Sequence, residues 1–234
     1  MKNKLLLSLF LSVLCIPTFA QNSENPVQKG DYNIFKFDVL NLMGVGVQKI
    51  HIGYEIAPMK ANENNLPTMQ FNATVPFNSL NEDLDVNYGI EGGMELRFYQ
   101  KGKKREYLSA EGFYMGVALD GGYTEFSARD NYYNSSNSSG DYRIDQFTNY
   151  KRVRTGIAYL LGGQARLGEK LYFDGNIGIG WSNVNVNSVN EVVPAGYEFE
   201  RRTVSPPLSH YQRGKSQRFY MPLSFGIGYN FGNR

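Results

Sequence analysis

An all-β chain that closes as an eight-stranded antiparallel up-and-down transmembrane β-barrel is the architecture this sequence predicts, and three observations predict it. From Phe219 to Phe231 every second residue is large and apolar (Phe219, Met221, Leu223, Phe225, Ile227, Tyr229, Phe231), while the residues between are small or polar. Side chains alternate between the two faces of a strand, so this is a one-sided apolar stripe. Its length suits the roughly 9–11 residues with which a tilted strand crosses a hydrocarbon layer. Second, the same phase recurs in seven segments upstream. Third, the connections alternate in kind, as they do when one end of a barrel carries tight turns and the other long loops.

The N-terminus precedes the barrel. Lys2 and Lys4, the apolar run Leu5 to Ile16 and the small-x-small sequence Thr18-Phe19-Ala20 predict a secretory signal peptide over 1–20, too short to span a bilayer and ending at a processing site. Residues 21–32 read as a polar periplasmic leader and 33–234 as the barrel. The single cysteine, Cys15, lies in the signal peptide, and Leu14 before it stands where a lipid-attachment site wants a small residue. The exported chain is therefore expected to carry no thiol and no disulfide. Losing Lys2 and Lys4 lowers Lys+Arg from 24 to 22 against 22 Asp+Glu, a balance that gives no support to a nucleic-acid partner. No stretch after the signal approaches the ~18 consecutive apolar residues of a membrane helix, a test that alternating barrel strands escape.

The strands follow in order. The first is expected over Asn33 to Leu42, with Phe35, Phe37 and Val39 opposed by Lys36 and Asp38. The second alternates Ile50, Ile52, Tyr54 and Ile56 with Lys49, His51, Gly53 and Glu55. The third sets Met69, Phe71, Ala73, Val75 and Phe77 against Gln70, Asn72 and Thr74. In the fourth, Val86, Tyr88, Ile90, Met94, Leu96 and Phe98 oppose Asn87, Gly89, Glu91, Gly93, Glu95 and Arg97. The fifth has Phe113, Met115, Val117 and Leu119 on one face, and the sixth Val153, Ile157, Tyr159 and Leu161 opposite Arg152 and Arg154. The seventh places Leu171, Phe173, Ile177, Ile179 and Trp181 opposite Tyr172, Asp174, Asn176 and Gly178. Helical periodicity fits none of them as well.

With the N-terminus on the periplasmic side, the long segments Ala128 to Asn149 and Asn183 to Gln217 fall outside as loops, and the tight Arg166 to Lys170 turn falls inside. Lys101, Lys103, Lys104 and Arg105 belong to a solvated periplasmic turn. The first outer connection, Asn41 to Val47, is short, so one rim of the barrel is expected to be low.

A soluble barrel of the lipocalin type would show the same alternation with its apolar face inward. The polar phase argues for the reverse. It is crowded with glycine (Gly89, Gly93, Gly116, Gly156, Gly178, Gly226, Gly228), which makes room in a narrow lumen for charged side chains. A lumen charge network of Lys49, His51, Glu55, Glu91, Glu95, Arg97, Arg152, Arg154 and Asp174 follows, mixed in sign because a lone buried charge is costly.

The ending Phe19-Ala20-Gln21, Gly53-Tyr54-Glu55, the strand Gly93-x-Glu95-x-Arg97-Phe98-Tyr99 and Gly112-Phe113-Tyr114 resemble the small outer-membrane barrels of Bacteroidota-type bacteria. In architecture the chain is similar to the OmpX, OmpW and OmpA membrane domains. The resemblance spans the exported chain and implies a barrel in the cell outer membrane, in contact with outer-membrane lipids, lipopolysaccharide and the barrel-assembly machinery. It carries no activity. One departure is the C-terminus, where Phe231 is followed by Gly232-Asn233-Arg234 instead of ending the chain.

Catalytic chemistry is sparse. His51 falls on the inward phase beside Lys49 and Glu55, as a member of the network. His210 adjoins Ser209 in the last outer loop, without a nearby acidic orienter. Glu91 and Glu95 sit about 13 Å apart along one strand face, too far for a retaining carboxylate pair. No ligand set with metal spacing and no phosphate loop is present, so no catalytic residue, metal or cofactor is expected. The expected role is structural or surface-interacting, through Tyr132, Tyr133, Tyr197, Arg201, Arg202, His210 and Arg213 of the outer loops, since aromatic and Arg side chains anchor recognition surfaces. A narrow channel for small solutes stands second and a lipid-modifying enzyme third.

Overall fold

The computed structural model describes residues 33–43, 46–56, 67–100, 110–134, 142–189, 191–200 and 210–231. The expected signal peptide and leader, the basic residues of 101–105 expected in a turn, Arg201, Arg202 and the three residues after Phe231 lie outside them. Strands β1 (Asn33–Asp38), β2 (Val47–Ile56), β3 (Thr68–Ser79), β4 (Leu84–Tyr99), β5 (Gly112–Asn134), β6 (Tyr142–Leu167) and β7 (Leu171–Val189) each pair antiparallel with the next. A short strand β8 (Glu198–Glu200) precedes β9 (Gly214–Tyr220) and β10 (Leu223–Asn230). β10 pairs with both β7 and β1, which closes an all-antiparallel barrel of eight strands.

The eighth wall strand is β9 and β10 together. Tyr220 opposes Gly180 and Leu223 opposes Ile177, so the register with β7 runs through without a slip. The interruption is Pro222, whose carbonyl still accepts from the Gly178 amide at 2.9 Å but which has no N–H to return.

The first strand is shorter than its apolar alternation predicts. It ends at Asp38, and Val39–Met43 form a short helix, α1. Asp38 causes the change as an N-cap: its Oδ1 accepts from the Asn41 amide at 3.0 Å and its Oδ2 from Asn41 Nδ2 at 2.6 Å. β1 therefore pairs with β10 only from Ile34↔Asn230 to Asp38↔Gly226. Beyond that point β9 has β7 as its strand partner among the described residues, and α1 packs against β10 and β2. The low rim expected at the first outer connection is thus a notch in the wall, occupied in part by α1.

The expected facing holds for the lower wall with one correction. Val86 points inward and is buried, because an extra residue, Asn87, shifts the β4–β5 register between Val86 and Tyr88. Below this bulge Tyr88, Ile90 and Phe98 face out, and Glu91, Glu95 and Arg97 face in.

The larger correction concerns the outer segments. Ala128 to Asn149 is not a loop: β5 and β6 stay in register to Asn134↔Tyr142. In Asn183 to Gln217, β7 continues to Val189, paired with Asn149, and β8 adds to β5 from Asn131↔Glu200 to Tyr133↔Glu198. The barrel wall rises on this side as a sheet. Its side-chain pattern inverts on the way up. On β7 the outward residues run Leu171, Phe173, Gly175, Ile177, Ile179, Trp181 and then Asn183, Asn185, Asn187, while the buried residues change from Asp174 and Asn176 to Val184 and Val186. On β5 the outward residues pass from Met115 and Leu119 to Glu125, Ser127 and Arg129, as Phe126 and Ala128 turn inward. An apolar-outside criterion misses these upper strands because their apolar side chains are inside.

Candidate functional site

The lumen holds the polar chemistry, in two tiers. The lower tier is built around Arg97, which is fully buried. Its Nη2 lies 2.6 Å and its Nε 2.8 Å from Glu95 Oε2, a two-nitrogen grip on a carboxylate of the same strand face. Arg97 Nη1 donates to Asp174 Oδ2 at 2.6 Å and lies 3.8 Å from Glu55 Oε2. Lys36 closes the group: its Nζ is 2.5 Å from Glu55 and 2.7 Å from Asp174, and it also donates to Gln164 Oε1. Neutral donors complete the carboxylate shells. Tyr114 Oη donates to Asp174 Oδ1 at 3.0 Å, Tyr99 Oη to Glu55 Oε1 at 2.9 Å and Asn72 Nδ2 to Glu95 Oε1 at 2.6 Å. The Arg97 guanidinium carbon stands 4.6 Å from the Tyr114 ring centroid, adding a cation–π contact.

The upper tier joins β2, β4, β5, β6 and β9. Lys49 Nζ and Arg152 Nη2 bind the two oxygens of Glu91 at 2.9 and 2.5 Å. Arg154 Nη2 lies 2.9 Å from Asp120 Oδ1, and Tyr220 Oη donates to Asp120 Oδ2 at 2.5 Å. Glycine makes this geometry possible. A Cβ on Gly122 would sit 2.5 Å from Glu91 Cγ, and one on Gly156 would sit 2.7 Å from Asp120 Oδ1. His51 stands apart from the ion pairs, its Nδ1 2.8 Å from Thr74 Oγ1. Between the tiers a cavity of about 10 Å³, lined by Lys36, Asp38, His51, Gln70, Asp174 and Ser224, has room for about one water.

All nine predicted network residues face the lumen, but in two groups. Glu55, Glu95, Arg97 and Asp174 meet below; Lys49, Glu91, Arg152 and Arg154 meet above. Asp174 pairs with Lys36 and Arg97, away from Arg152 and Arg154. Lys36, Asp120, Tyr114 and Gln164 were not singled out in the sequence. Lys36 lies on the inward face of β1 between Ile34 and Asp38, and Asp120 bonds inward from the middle of β5, so the alternation is the sequence signal for both; Tyr114 and Gln164 become polar ligands only through cross-barrel contact.

The outer recognition set dissolves in part. Tyr132 is fully buried on the inward face of β5, its hydroxyl 3.5 Å from Thr148 Oγ1 and from Glu191 Oε1, so it is a wall residue and not an exposed anchor. Tyr133 faces outward and donates to Glu198 at 2.8 Å, and Tyr197 is half-buried at the turn before β8. Arg213 ties the chain before β9 to Glu191 at 2.6 Å, a pairing that lowers the Glu191 carboxyl and raises the guanidinium.

His210 and Tyr211 turn into the barrel mouth. Tyr211 is buried, with its ring edge-on to Phe126 at 5.0 Å between centroids, and the Arg152 guanidinium carbon 4.4 Å from its centroid. His210 sits edge-on to Tyr220 at 6.2 Å, and Arg154 covers Tyr220 at 4.4 Å. Burial first, then Arg154, Arg152, Arg218 and Lys49, push the His210 imidazole down to about 4 from 6.5. A histidine held neutral in this way gains a proton more readily when undocked. Docking of 210–213 is therefore at full strength above about pH 6.5 and weakens as pH falls from there towards about 4. Amide exchange of Tyr211 and Gln212 followed from pH 7.5 to 4.5, corrected for intrinsic rates, should show protection falling in that window; His210→Gln should flatten the profile.

Among the described residues no group of three or more His, Cys, Asp or Glu is placed to hold a metal ion. No helix of the described residues is long and apolar enough to cross a membrane, which leaves a crossing by strands untouched. No protein-family model and no curated protein matches the chain.

Proposed function

We propose that this chain is an outer-membrane β-barrel with a structural or surface-interaction role, its lumen closed to solutes and its tall β5–β8 sheet exposed outside the cell. The observation that carries the reading is the inversion of side-chain facing along single strands. Apolar residues outside and charges inside fit a wall in hydrocarbon; polar residues outside and apolar residues inside fit the same wall in water. The ten steps from Leu171 to Trp181 span about 34 Å along the strand and, tilted by about 45°, about 24 Å across the layer, close to the ~25 Å apolar band of such barrels. Exposed Tyr88, Trp181 and Phe219 sit near the upper border and Phe113, Phe98 and Phe231 near the lower, as interfacial aromatics do.

Export by a cleaved signal peptide, contact with lipopolysaccharide and other outer-membrane lipids, insertion by the barrel-assembly machinery, and kinship with the small barrels of Bacteroidota-type bacteria belong to this reading. It assigns no enzymatic activity. The two salt-bridged tiers and the Tyr211 contact argue for a closed lumen. Purified protein in planar bilayers should give little steady current at neutral pH. A large ohmic conductance from the unmutated chain would replace this reading with the channel.

A further inference from the structure

The two lumen tiers differ in charge balance. The lower one sets Lys36 and Arg97 against Glu55, Glu95 and Asp174. The upper one sets Lys49, Arg152, Arg154 and Arg218 against Glu91 and Asp120 alone, because Arg218 is held by neutral partners, Ser216 Oγ at 3.1 Å and Gln212 Oε1 at 2.8 Å. Asp130 is no counterion here: it lies six residues above Thr124 on β5, about 20 Å along the strand, and accepts from Tyr150 Oη at 2.5 Å. Buried excess positive charge is unfavourable, and what this level lacks is negative charge, since unpartnered neutral acceptors such as Thr124 Oγ1 and His210 Nδ1 are present among the described residues. Arg152, 2% exposed, and Arg154 each have a buried Nε with no hydrogen-bond partner among the described residues.

Directly above this cationic floor the lumen wall turns apolar, through Leu84, Val86, Phe126, Val184 and Val186. The group that fills the cup is not part of the wall. It is Tyr211, delivered by the chain before β9, with its ring on Arg152 and Phe126 and its hydroxyl buried without a hydrogen-bond partner among the described residues. A phenol meets the apolar wall and the face of the guanidinium but brings no negative charge to the floor. The chain that delivers it is fastened by side-chain contacts, chiefly Arg213 to Glu191 and Arg218 to Gln212.

We propose that the outer lumen is a binding site for an amphiphilic anion, its head on Arg152 and Arg154 and its apolar body against Phe126, Val184 and Val186, and that Tyr211 occupies this site until the ligand displaces it. The site needs an acidic head for the unfilled Nε donors and an apolar body for the cup; a carboxylate or a phosphate monoester on an alkyl chain meets both demands. It lies above the sealed lower tier, so occupancy requires no through-passage, and it stands independently of what the exterior sheet contacts.

The test uses the full exported chain in dodecyl maltoside micelles, with octanoate as probe, calorimetry for stoichiometry and the arginine Nε–H resonances as a local readout. Octanoate should bind saturably at one site and shift the Nε–H signals assigned through Arg152→Gln and Arg154→Gln. Tyr211→Ala removes the competing ring and should tighten binding by about tenfold, since apparent affinity scales with the fraction of open site. Tyr211→Phe keeps the ring and should bind as the unmutated protein does. Arg152→Gln in the Tyr211→Ala chain should lose that gain, with the mobility of unboiled samples on a denaturing gel checking that each barrel is closed. Absence of saturable binding in Tyr211→Ala overturns the proposal. So does octanol binding as well as octanoate, which would make the site a plain apolar cup. Inorganic phosphate binding as well as octanoate overturns it too, by leaving the apolar wall without a role.

Discussion

Arg97→Ala is expected to cost the barrel about 3–5 kcal/mol, the scale for removing one partner from a buried ionic group. The guanidinium is fully buried and, among the described residues, is the cation that reaches all three carboxylates: Glu95 at 2.6 Å, Asp174 at 2.6 Å and Glu55 at 3.8 Å. Without it Lys36 alone faces three negative charges, and Glu95 loses both of its guanidinium bonds. Arg129→Ala is the control. Arg129 is 43% exposed at the side chain and lies 3.4 Å from Asp83 on the outer surface, where an ion pair contributes about 0–1 kcal/mol. Urea titrations of refolding into lipid vesicles should separate the two variants by several-fold in free energy. Equal costs would mean that the lower tier does not bear on stability.

Phe225→Arg is expected to cost about 2–4 kcal/mol in the same titration, the penalty for a charge near the bilayer midplane. Phe225 pairs with Gly175, four residues from Leu171 and six from Trp181, so a side chain there lies well away from water at either border. It also stacks on Phe173 at 5.8 Å, a contact of about 0.5–1.5 kcal/mol that Phe225→Ala measures separately. Gln217→Arg, on the same face of the eighth strand but opposite Asn183, should change stability by a few tenths of a kcal/mol at most. A Phe225→Arg chain that refolds as readily as Gln217→Arg would take the stripe out of hydrocarbon.

What was legible in the sequence follows from where the apolar side chains point. Wherever they point outward, the alternation alone located the strand: Phe219 to Phe231, Leu171 to Trp181 and Met69 to Phe77 appear as read. Where facing inverts, as from Ala128 to Tyr132 and from Val184 to Val186, the same criterion gives loops. That error also promoted Tyr132, a buried wall residue, to a surface anchor. Single residues account for the rest. Asp38 continues the polar phase of β1 in the sequence and in the structure caps a helix; Asn87 inserts a bulge that sends Val86 inside. The signs of the lumen charges were readable, but the choice of partners was not, because Lys36 with Asp174 and Arg154 with Asp120 are decided by cross-barrel distance. Tyr211 left no periodic signal, being a loop residue whose importance comes from the cup into which it turns.

On the proposed reading, β7 passes from hydrocarbon into external water at the point where its facing inverts. Because the only cysteine, Cys15, lies in the segment expected to be removed on export, single cysteines along the outward face of β7 report on this without background. Cysteines replacing Asn183, Asn185 and Asn187 one at a time should react with a membrane-impermeant maleimide on intact cells. Those replacing Phe173, Ile177 and Ile179 should not react until the membrane is dissolved and the barrel denatured. Equal labelling of all six on intact cells, or protection of the asparagine positions until the outer membrane is opened, would contradict it.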